Sequence, residues 1–334
     1  MTSVTIINGV LQSNTSTDSF LDCHNSSVEA KALKVSAWSL IFLLSSIGNV
    51  LMITTVLKTR ALHSNNSFFM VNMAISDLLV PLFVVPQQVM SEIAGYAWHV
   101  YGVFGACVCK IIHFAGEISI PVSILTMIVI AVERFHCVVF PLRPPLISAV
   151  RFRIIVAAIW IVSAVLESFR FFVFSLRQRQ VSGHTYCLAI WEDIDCNNKS
   201  LKATKSTLNS FLGYYLLVSV TPFIILAVLY SVIVVKLNCH NKTVHLAPEA
   251  EQLRNKKTRK VTFMSLAVVV GFAVVWAPFW SVSTKLVFDQ LKISKALVQT
   301  ISFLPYTYTI INPLIFYTFN KCFRNGLKQI LKCS

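Results

Sequence analysis

Four ionisable side chains stand within or at the end of long apolar stretches, and their types limit the chemistry that the chain can do. Asp77 and Glu117 are carboxylates among apolar residues, and Glu133 with Arg134 closes the stretch that contains Glu117. A carboxylate inside a membrane is costly and usually faces a polar cavity, so we interpret Asp77 as functional. An acid beside an arginine at a membrane face can form an ion pair that another state breaks. These residues indicate a functional polar site and a switch at one membrane face, and no P-loop, HExxH or Ser-His-Asp set indicates an enzyme.

The composition is that of an integral membrane protein. Of 334 residues, 55% are hydrophobic and only 13% are charged, whereas a soluble domain has about a quarter charged residues. The formal net charge of +15 would indicate nucleic-acid binding in a soluble protein. In a membrane protein, the simpler interpretation is that basic loops face the cytoplasm and anionic lipid. We therefore expect the lipid bilayer, and no nucleic acid, as a partner.

Seven apolar segments are each long enough to cross a bilayer, which takes about twenty helical residues. They lie near residues 35–58, 67–92, 107–139, 153–175, 208–236, 259–284 and 296–318. We predict an all-α membrane protein, a seven-transmembrane helix bundle with a short amphipathic C-terminal helix. The predicted parts are an N-terminal region over 1–33, a transmembrane domain over 34–319 and a tail over 320–334.

Loop charges and glycosylation motifs predict the orientation. An odd number of segments places the two ends on opposite sides. N-glycosylation motifs begin at Asn14 and Asn25 in the N-terminus and at Asn198 in the second outer loop. Most Lys and Arg residues lie in the inner loops and tail, although the second outer loop also carries five of them. We expect an extracellular N-terminus without a cleaved signal peptide, and a cytoplasmic C-terminus, at the plasma membrane.

Each predicted helix carries at least one landmark. The landmarks are Gly48-Asn49-Val50; Asn72-Met73-Ala74-Ile75-Ser76-Asp77; Cys109 and Glu133-Arg134-Phe135; Trp160; Pro222 and Tyr230; Phe272 and Trp276-Ala277-Pro278; and Asn312-Pro313-Leu314-Ile315-Phe316. In this order, from about residue 35 to 326, the set resembles the rhodopsin-like (class A) G-protein-coupled receptors. The resemblance implies a receptor that binds an extracellular ligand and activates a heterotrimeric G protein.

The resemblance also implies an inner switch. Its residues would be Glu133, Arg134, Tyr230, Asn312, Pro313 and Phe316. The alternative is a plain interfacial ion pair between Glu133 and Arg134, which contributes little. The foot of the sixth segment is basic where relatives often carry an acid, so we expect a loose inactive lock. The family's Asp-Arg-Tyr motif is Glu-Arg-Phe here, Val275 replaces a cysteine, and Phe316 replaces a tyrosine that helps hold the active state in relatives.

Two further groups follow from the resemblance. Asp77 with Ser123, Asn312 and Asn49 resembles a sodium pocket, and the alternative is a protonated, hydrogen-bonded Asp77 with water only. Trp276 above Phe272, with a kink at Pro278, resembles the helix toggle of the family, and core aromatic packing is the plainer interpretation.

The cysteines predict one outer bond. The resemblance implies a Cys109–Cys187 disulfide. Cys23, Cys107 and Cys196 are left over, and a Cys23–Cys196 bond is possible, because sequence cannot fix connectivity. Cys333 is a candidate for palmitoylation.

Single positions of this sequence can be compared with those that distinguish the amine, opsin and peptide branches of the family. Amine receptors carry an Asp at the position of Gly116, although the neighbouring Glu117 can substitute, and opsins carry a lysine at that of Tyr306. Trp98 and the Cys187–Trp191 spacing are typical of peptide receptors. Acids at Glu92, Glu117, Glu167 and Glu192 to Asp195 can pair with a cationic, Arg-rich or amidated peptide. The plainer interpretations are an intrahelical pair of Glu167 with Arg170, a pair of His113 with Glu117, and a solvated acidic loop.

We therefore favour the neuropeptide branch, with neuropeptide Y and RFamide-like receptors. The candidate ligand-binding residues are Gln87, Gln88, His113, Gly116, Glu117, Trp191, Trp276, Phe279, Trp280 and Tyr306. At Gly116 the missing side chain is expected to leave room for a bulky ligand group. The alternatives are an amine receptor that uses Glu117 as counter-ion and, from another class, a transporter or channel.

Overall fold

The computed structural model describes residues 28–94, 97–141, 143–144, 146–178, 185–189, 213–214, 216–244, 249–288, 300–301 and 303–332. Within these ranges, six helical stretches are long and apolar enough to cross a membrane. They run over Val28–Lys58, Asn65–Ala94, Gly102–Val139, Ala149–Val173, Thr221–Asn238 and Asn255–Val282. The predicted seventh segment contains a 3-10 turn at Leu304–Thr307 and a helix at Tyr308–Phe319. The mostly helical architecture that the sequence predicted is present.

Several of these stretches are divided into shorter helices. In chain order they are α1 (Val28–Lys58), α2 (Asn65–Asp77), α3 (Val85–Ala94), α4 (Gly102–Glu117), α5 (Ser119–Val139), α6 (Ala149–Glu167), α7 (Arg170–Val173), α8 (Thr221–Val244), α9 (Glu249–Phe288), α10 (Tyr308–Phe319) and α11 (Lys321–Lys332). A 3-10 turn at Arg60–Leu62 follows α1, and π-helical turns occupy Val80–Val84 and Leu216–Val220.

Proline explains two of the divisions. A proline has no N–H to donate to the carbonyl four residues earlier, and its ring crowds that carbonyl. Pro121 therefore cannot bond the carbonyl of Glu117, where α4 ends before a turn at Ile118. Pro81 likewise cannot bond the carbonyl of Asp77, where α2 ends before a π-helical turn. Asp77 and Glu117 thus each lie at a helix break, where the backbone is locally irregular.

Buried polar side chains connect helices across the apolar interior. The amide of Asn72 donates to Thr126 Oγ1 at 3.0 Å, and its oxygen accepts from Trp160 Nε1 at 2.9 Å, so that α2, α5 and α6 are joined. The amide of Asn49 donates at 2.9 Å to the carbonyl of Thr309. That carbonyl needs a partner because Pro313, four residues later, has no N–H.

A two-stranded hairpin lies against α4. Strands β1 (Phe174–Gln178) and β2 (Thr185–Ala189) pair antiparallel, with Leu176 opposite Cys187. A disulfide joins Cys187 to Cys109 of α4, with the two Cα atoms 5.8 Å apart. The N–H of Trp98 donates to the carbonyl of Thr185 at 2.7 Å. The implied disulfide is therefore present, and the hairpin is an addition to the predicted helices.

The first helix begins earlier than its apolar sequence predicted. α1 starts at Val28 rather than near residue 35. Glu29 lies in its first turn, where the positive end of the helix dipole favours an acid. Lys34 forms an ion pair of 3.2 Å with Glu92 of α3. Charged residues thus stabilise the polar start of α1, and a prediction based only on apolar residues does not include them.

The amphipathic helix α11 packs against α1 and the turn after it. Phe323 and Leu327 are buried, and a Cβ added at Gly326 would lie 2.4 Å from Thr59 Oγ1, so glycine allows the close approach. Arg324 Nη1 donates to the carbonyl of Thr318 at 2.6 Å, and so satisfies a group at the end of α10 that lacks an intrahelical partner. The short C-terminal helix is where the sequence predicted it.

Candidate functional site

Glu117 belongs to a cluster of charged and phenolic side chains from the third, fourth, fifth and seventh segments. Its Oε2 lies 3.4 Å from Arg170 Nη2, and its Oε1 accepts from the hydroxyl of Tyr306 at 3.5 Å. Arg170 Nε makes a shorter bond, 2.5 Å, to Oε2 of Glu167. The hydroxyl of Tyr214 donates to the other oxygen of Glu167. Two carboxyl groups therefore share one guanidinium, and the formal charge of the three side chains, counted as ionised, is −1.

The two acids of this cluster are held differently. The side chain of Glu167 is 1% exposed and makes the short contact, whereas that of Glu117 is 22% exposed and makes longer contacts. The Glu167–Arg170 pair, foreseen as an alternative to a ligand contact, is present. The link from Arg170 to Glu117 was missed, because 53 residues separate the two in sequence. Helical spacing predicts partners only three or four residues away. Arg170 lies on a different segment from Glu117, so this spacing does not predict their contact.

His113 and Gln87 are brought together beside the hairpin. His113 Nδ1 donates to the carbonyl of Cys109 at 2.8 Å. Its Nε2 lies 3.1 Å from the amide nitrogen of Gln87 and can accept from it. The imidazole stacks on Phe174 of β1, with ring centroids 3.8 Å apart. At the neighbouring candidate, Gln88, the backbone carbonyl accepts from Ser91 Oγ at 2.7 Å.

The expectation that Gly116 leaves room for a ligand group is wrong in this structure. Gly116 is buried, and a Cβ built on it would lie 2.5 Å from Cγ2 of Val84 in the π-helical turn of the second segment. The space beside Gly116 is thus filled by a neighbouring helix. The missing side chain allows the second and third segments to approach each other.

An aromatic group from α9 and α10 lies at the centre of the bundle. The rings of Trp276 and Phe272 are stacked, with centroids 5.6 Å apart and planes 17° apart. Trp276 also contacts Phe279 at 5.6 Å and Trp280 at 5.4 Å, and Tyr308 contacts Phe272 at 5.2 Å. The predicted stack is present, and three candidate ligand residues adjoin one another.

Asp77 is fully buried among hydroxyl and amide donors. Its Oδ2 accepts from Asn312 Nδ2 at 2.7 Å, and its Oδ1 accepts from Ser123 Oγ at 3.1 Å. Ser119 lies 3.5 Å from Oδ1 and 2.6 Å from the hydroxyl of Tyr308. The predicted neighbours Ser123 and Asn312 are therefore in contact with Asp77, and Ser119 and Tyr308 were missed. Ser119 lies four residues before Ser123, so helical spacing contained the signal.

The expected fourth neighbour, Asn49, bonds elsewhere. Its amide donates to the carbonyls of Ser45 and Thr309, both at 2.9 Å. Around Asp77 a carboxylate and the hydroxyls of Ser119 and Ser123 offer oxygen atoms in a buried place. Oxygen donors of this kind suit a hard cation, so the residues present fit such an ion.

At the other end of the third segment, Glu133 and Arg134 form a local ion pair. Oε2 of Glu133 lies 3.3 Å from Arg134 Nη2, and their side chains are 7% and 12% exposed. Tyr230 of α8 is buried. The foot of α9 presents exposed basic side chains, namely Lys256, Lys257, Arg259 and Lys260. The contact between Glu133 and Arg134 is the one that the sequence predicted.

Phe316 takes part in packing at the end of α10. It is buried and meets Phe323 of α11 edge-on, with centroids 5.2 Å apart. Tyr317, one residue later, is 43% exposed and points away from the interior. Its hydroxyl therefore does not take the place of the tyrosine that the family has at Phe316.

The remaining predicted residues lie outside the described part of the chain. These are Trp191, the acids Glu192 to Asp195, Cys23 and Cys196, the palmitoylation candidate Cys333, and the glycosylation candidates Asn14, Asn25 and Asn198. Among the described outer acids, Glu92 is paired with Lys34.

Comparison with known proteins places these contacts in context. A family model described as 7 transmembrane receptor (rhodopsin family) matches residues 48–316. The chain is 27% identical to neuropeptide FF receptor 2 of Mus musculus, over 90% of this chain and 73% of that receptor. It is 28% identical to neuropeptide Y receptor type 2 of Homo sapiens, over 92% of this chain and 78% of that receptor. It is 25% identical to a QRFP-like peptide receptor of Branchiostoma floridae, over 91% of this chain and 78% of that receptor.

Proposed function

The chain belongs to the rhodopsin family of seven-transmembrane receptors, and we propose that its extracellular ligand is a cationic peptide. Members of this family are multi-pass membrane receptors, not enzymes, and they respond to extracellular ligands through heterotrimeric G proteins. The proposal therefore concerns the ligand, the orientation of the chain and the residues that transmit the signal.

Three features support a peptide rather than a small amine. The relatives above are named as peptide receptors and align along most of the chain. The position at which amine receptors carry an Asp is Gly116, and the space beside it is filled by Val84. A disulfide-tethered hairpin, β1 and β2, lies next to α4 and offers an extended surface at the outer end.

The observation that carries the cationic preference is the partly exposed carboxylate of Glu117. It lies in a cluster with one net negative charge and makes only long contacts, at 3.4 and 3.5 Å. A ligand guanidinium or ammonium would form a charge-assisted bond with it, and such a bond contributes about 1.5–3 kcal/mol. At about 1.4 kcal/mol per tenfold, this corresponds to roughly a ten- to hundredfold preference for the cation.

The orientation is supported by covalent chemistry and by charge. The Cys109–Cys187 disulfide requires an oxidising compartment, so the hairpin end faces outside. The exposed basic foot of α9 then faces the cytoplasm, as the positive-inside rule expects. The N-terminus is extracellular, and Asn14, Asn25 and Asn198 are available for glycosylation.

Transmission runs through three groups of the bundle. Ligand contact near Glu117 and Trp276 changes the packing of Trp276 on Phe272 and thereby the tilt of α9. Asp77, Ser119 and Ser123 would hold a sodium ion that favours one arrangement of the helices. At the cytoplasmic face, Arg134 leaves Glu133 and contacts the G protein.

A ligand screen tests this function. Cells that carry the chain are exposed to a library of amidated peptides, including neuropeptide FF and neuropeptide Y, and to biogenic amines. The readout is ligand-dependent nucleotide exchange on a G protein. Arg134→Gln is the matched control, which should retain ligand binding and lose exchange. Activation by amines and by none of the peptides would replace the peptide proposal with an amine receptor.

The cationic preference has a separate test. Peptides that activate the receptor are made in pairs, with Arg or its neutral analogue citrulline at one position. Glu117→Gln keeps the shape and removes the charge, so it should weaken the Arg peptide by roughly ten- to a hundredfold and leave the citrulline peptide unchanged. An equal shift of both dose–response curves would mean that Glu117 does not read the ligand's charge.

A further inference from the structure

We infer that Arg170 is a built-in competitor for Glu117, and that a cationic ligand group must displace it to reach this carboxylate. The inference rests on the proposed function, in which Glu117 contacts the ligand's cation. It adds a residue of the fourth segment to the determinants of ligand affinity. It also gives the neighbouring acid, Glu167, the role of retaining Arg170 when Glu117 is taken.

The contacts of Arg170 are unequal, and this makes an exchange possible. Its Nε is bonded to Glu167 at 2.5 Å, whereas its Nη2 reaches Glu117 only at 3.4 Å. Glu167 lies three residues earlier in the chain, is buried, and is held in addition by the hydroxyl of Tyr214. The guanidinium carbon also lies 5.3 Å from the ring centroid of Phe169. Breaking the longer contact would therefore leave Arg170 anchored.

Charge and exposure indicate that Glu117, rather than Glu167, is the acid at which a ligand cation replaces Arg170. Its side chain is 22% exposed, against 1% for Glu167. Its second oxygen has the hydroxyl of Tyr306 at 3.5 Å, the outer limit for a hydrogen bond. A ligand cation that enters here brings the charge of the three groups from one negative to zero. The same entry at Glu167 would require the contact of a buried carboxylate, only 1% exposed, to be broken, which is strongly disfavoured.

Two substitutions should move the affinity for a cation in opposite directions. Arg170→Lys keeps the charge but loses the planar fork that spans two carboxylates. A lysine is expected to remain with Glu167, three residues away on the same segment, and to release Glu117. Glu167→Gln removes the carboxylate that holds Arg170 Nε, so Arg170 is left with Glu117 as its ion-pair partner. The first variant should bind cations more tightly than the wild type, and the second more weakly.

The test uses the purified receptor and needs neither its natural ligand nor a G protein. Thermal unfolding is followed at rising concentrations of L-arginine amide, with L-citrulline amide as the control that has the same α-amino group and an uncharged side chain. The half-maximal concentration of arginine amide should fall about fivefold in Arg170→Lys, and rise by a similar factor in Glu167→Gln. Fivefold corresponds to about 1 kcal/mol, the upper end for a partly exposed ion pair. Arg153→Lys, at an exposed position of α6, should change nothing.

The outcomes separate this inference from the proposed function. Equal half-maximal concentrations in the wild type and Arg170→Lys, or no effect of arginine amide on either protein, would overturn the exchange. If Arg170→Lys does not fold, Glu167→Gln decides: an unchanged or lower half-maximal concentration also overturns it. A library in which no peptide activates the receptor would remove the proposed ligand, while a fivefold shift with arginine amide would still support Arg170 as the competitor.

Discussion

Replacing Gly116 with alanine tests how the second and third segments pack. On the present backbone, the added Cβ would lie 2.5 Å from Cγ2 of Val84. Carbon atoms in optimal contact are about 3.5–4.0 Å apart, so one of the helices must move by about 1 Å. Val84 cannot swing aside at low cost, because a β-branched side chain in a helix has one strongly preferred χ1 rotamer.

The expected loss of stability is the difference between two opposing effects. Inserting a methyl group into a packed interior costs about 1–3 kcal/mol. Replacing a helical glycine with alanine recovers about 0.5–1 kcal/mol of backbone entropy. Gly116→Ala should therefore destabilise the receptor by about 1.2 kcal/mol, the difference between the midpoints of these two ranges. Since 1 kcal/mol shifts Tm by about 2–4 °C in a domain of 150–250 residues, the Tm should fall by a few degrees.

Thermal unfolding of the purified receptor, combined with dose–response curves, provides the measurement. Val84→Ala alone leaves a cavity and should also destabilise. In the double variant Gly116→Ala/Val84→Ala, the added methyl group fills part of the cavity. Its loss of stability should therefore be smaller than the sum of the losses in the two single variants, as expected for residues in contact. An unchanged Tm of Gly116→Ala with a steep loss of ligand response would refute the packing argument and restore the view that Gly116 leaves room for a ligand.

Three further changes test other parts of the site. Serine at Cys109 or at Cys187 should sharply reduce surface expression or ligand response, and the double variant should be no worse than either single one; full response in both single variants would show that the bond is dispensable. Asp77→Asn should abolish any effect of sodium on agonist binding, and a wild-type receptor that is indifferent to sodium would contradict the proposed ion site. Trp160→Phe removes the donor of the 2.9 Å bond to Asn72 and leaves a buried acceptor, so it should cost about 1–3 kcal/mol; an unchanged Tm would mean that water replaces the indole.

The parts of the site that could be predicted from the sequence are those fixed by covalent bonds or by motifs. Cys109 and Cys187 are joined as the resemblance implied. Asp77 meets Ser123 and Asn312, two of the neighbours that the resemblance implied from the motifs of three segments. Such contacts depend on coarse features of the chain, which a pattern of residue types contains.

The contacts that could not be predicted depend on the exact rotation of a helix. Whether Gly116 faces a ligand or a neighbouring helix is decided by the π-helical turn that brings Val84 against it. Whether Glu117 pairs with His113 or with Arg170 is decided by the break after Glu117 and by the end of α6. One residue more or less in such a turn rotates every later side chain by about 100°, since a regular helix has 3.6 residues per turn. Residue types record neither the rotation nor the partner.

Proline nevertheless shows where such irregularities occur. Asp77 and Glu117 each lie four residues before a proline, and so does Thr309, whose carbonyl accepts the amide of Asn49. At each of these positions the proline removes an intrahelical bond, which makes a polar partner or a bend favourable inside an apolar bundle. Polar groups that would be costly in a regular membrane helix become tolerable where the backbone is already open. Asp77 and Glu117, which precede these prolines, therefore stand beside helix breaks, whereas Glu167 lies at the end of α6 without a proline four residues later.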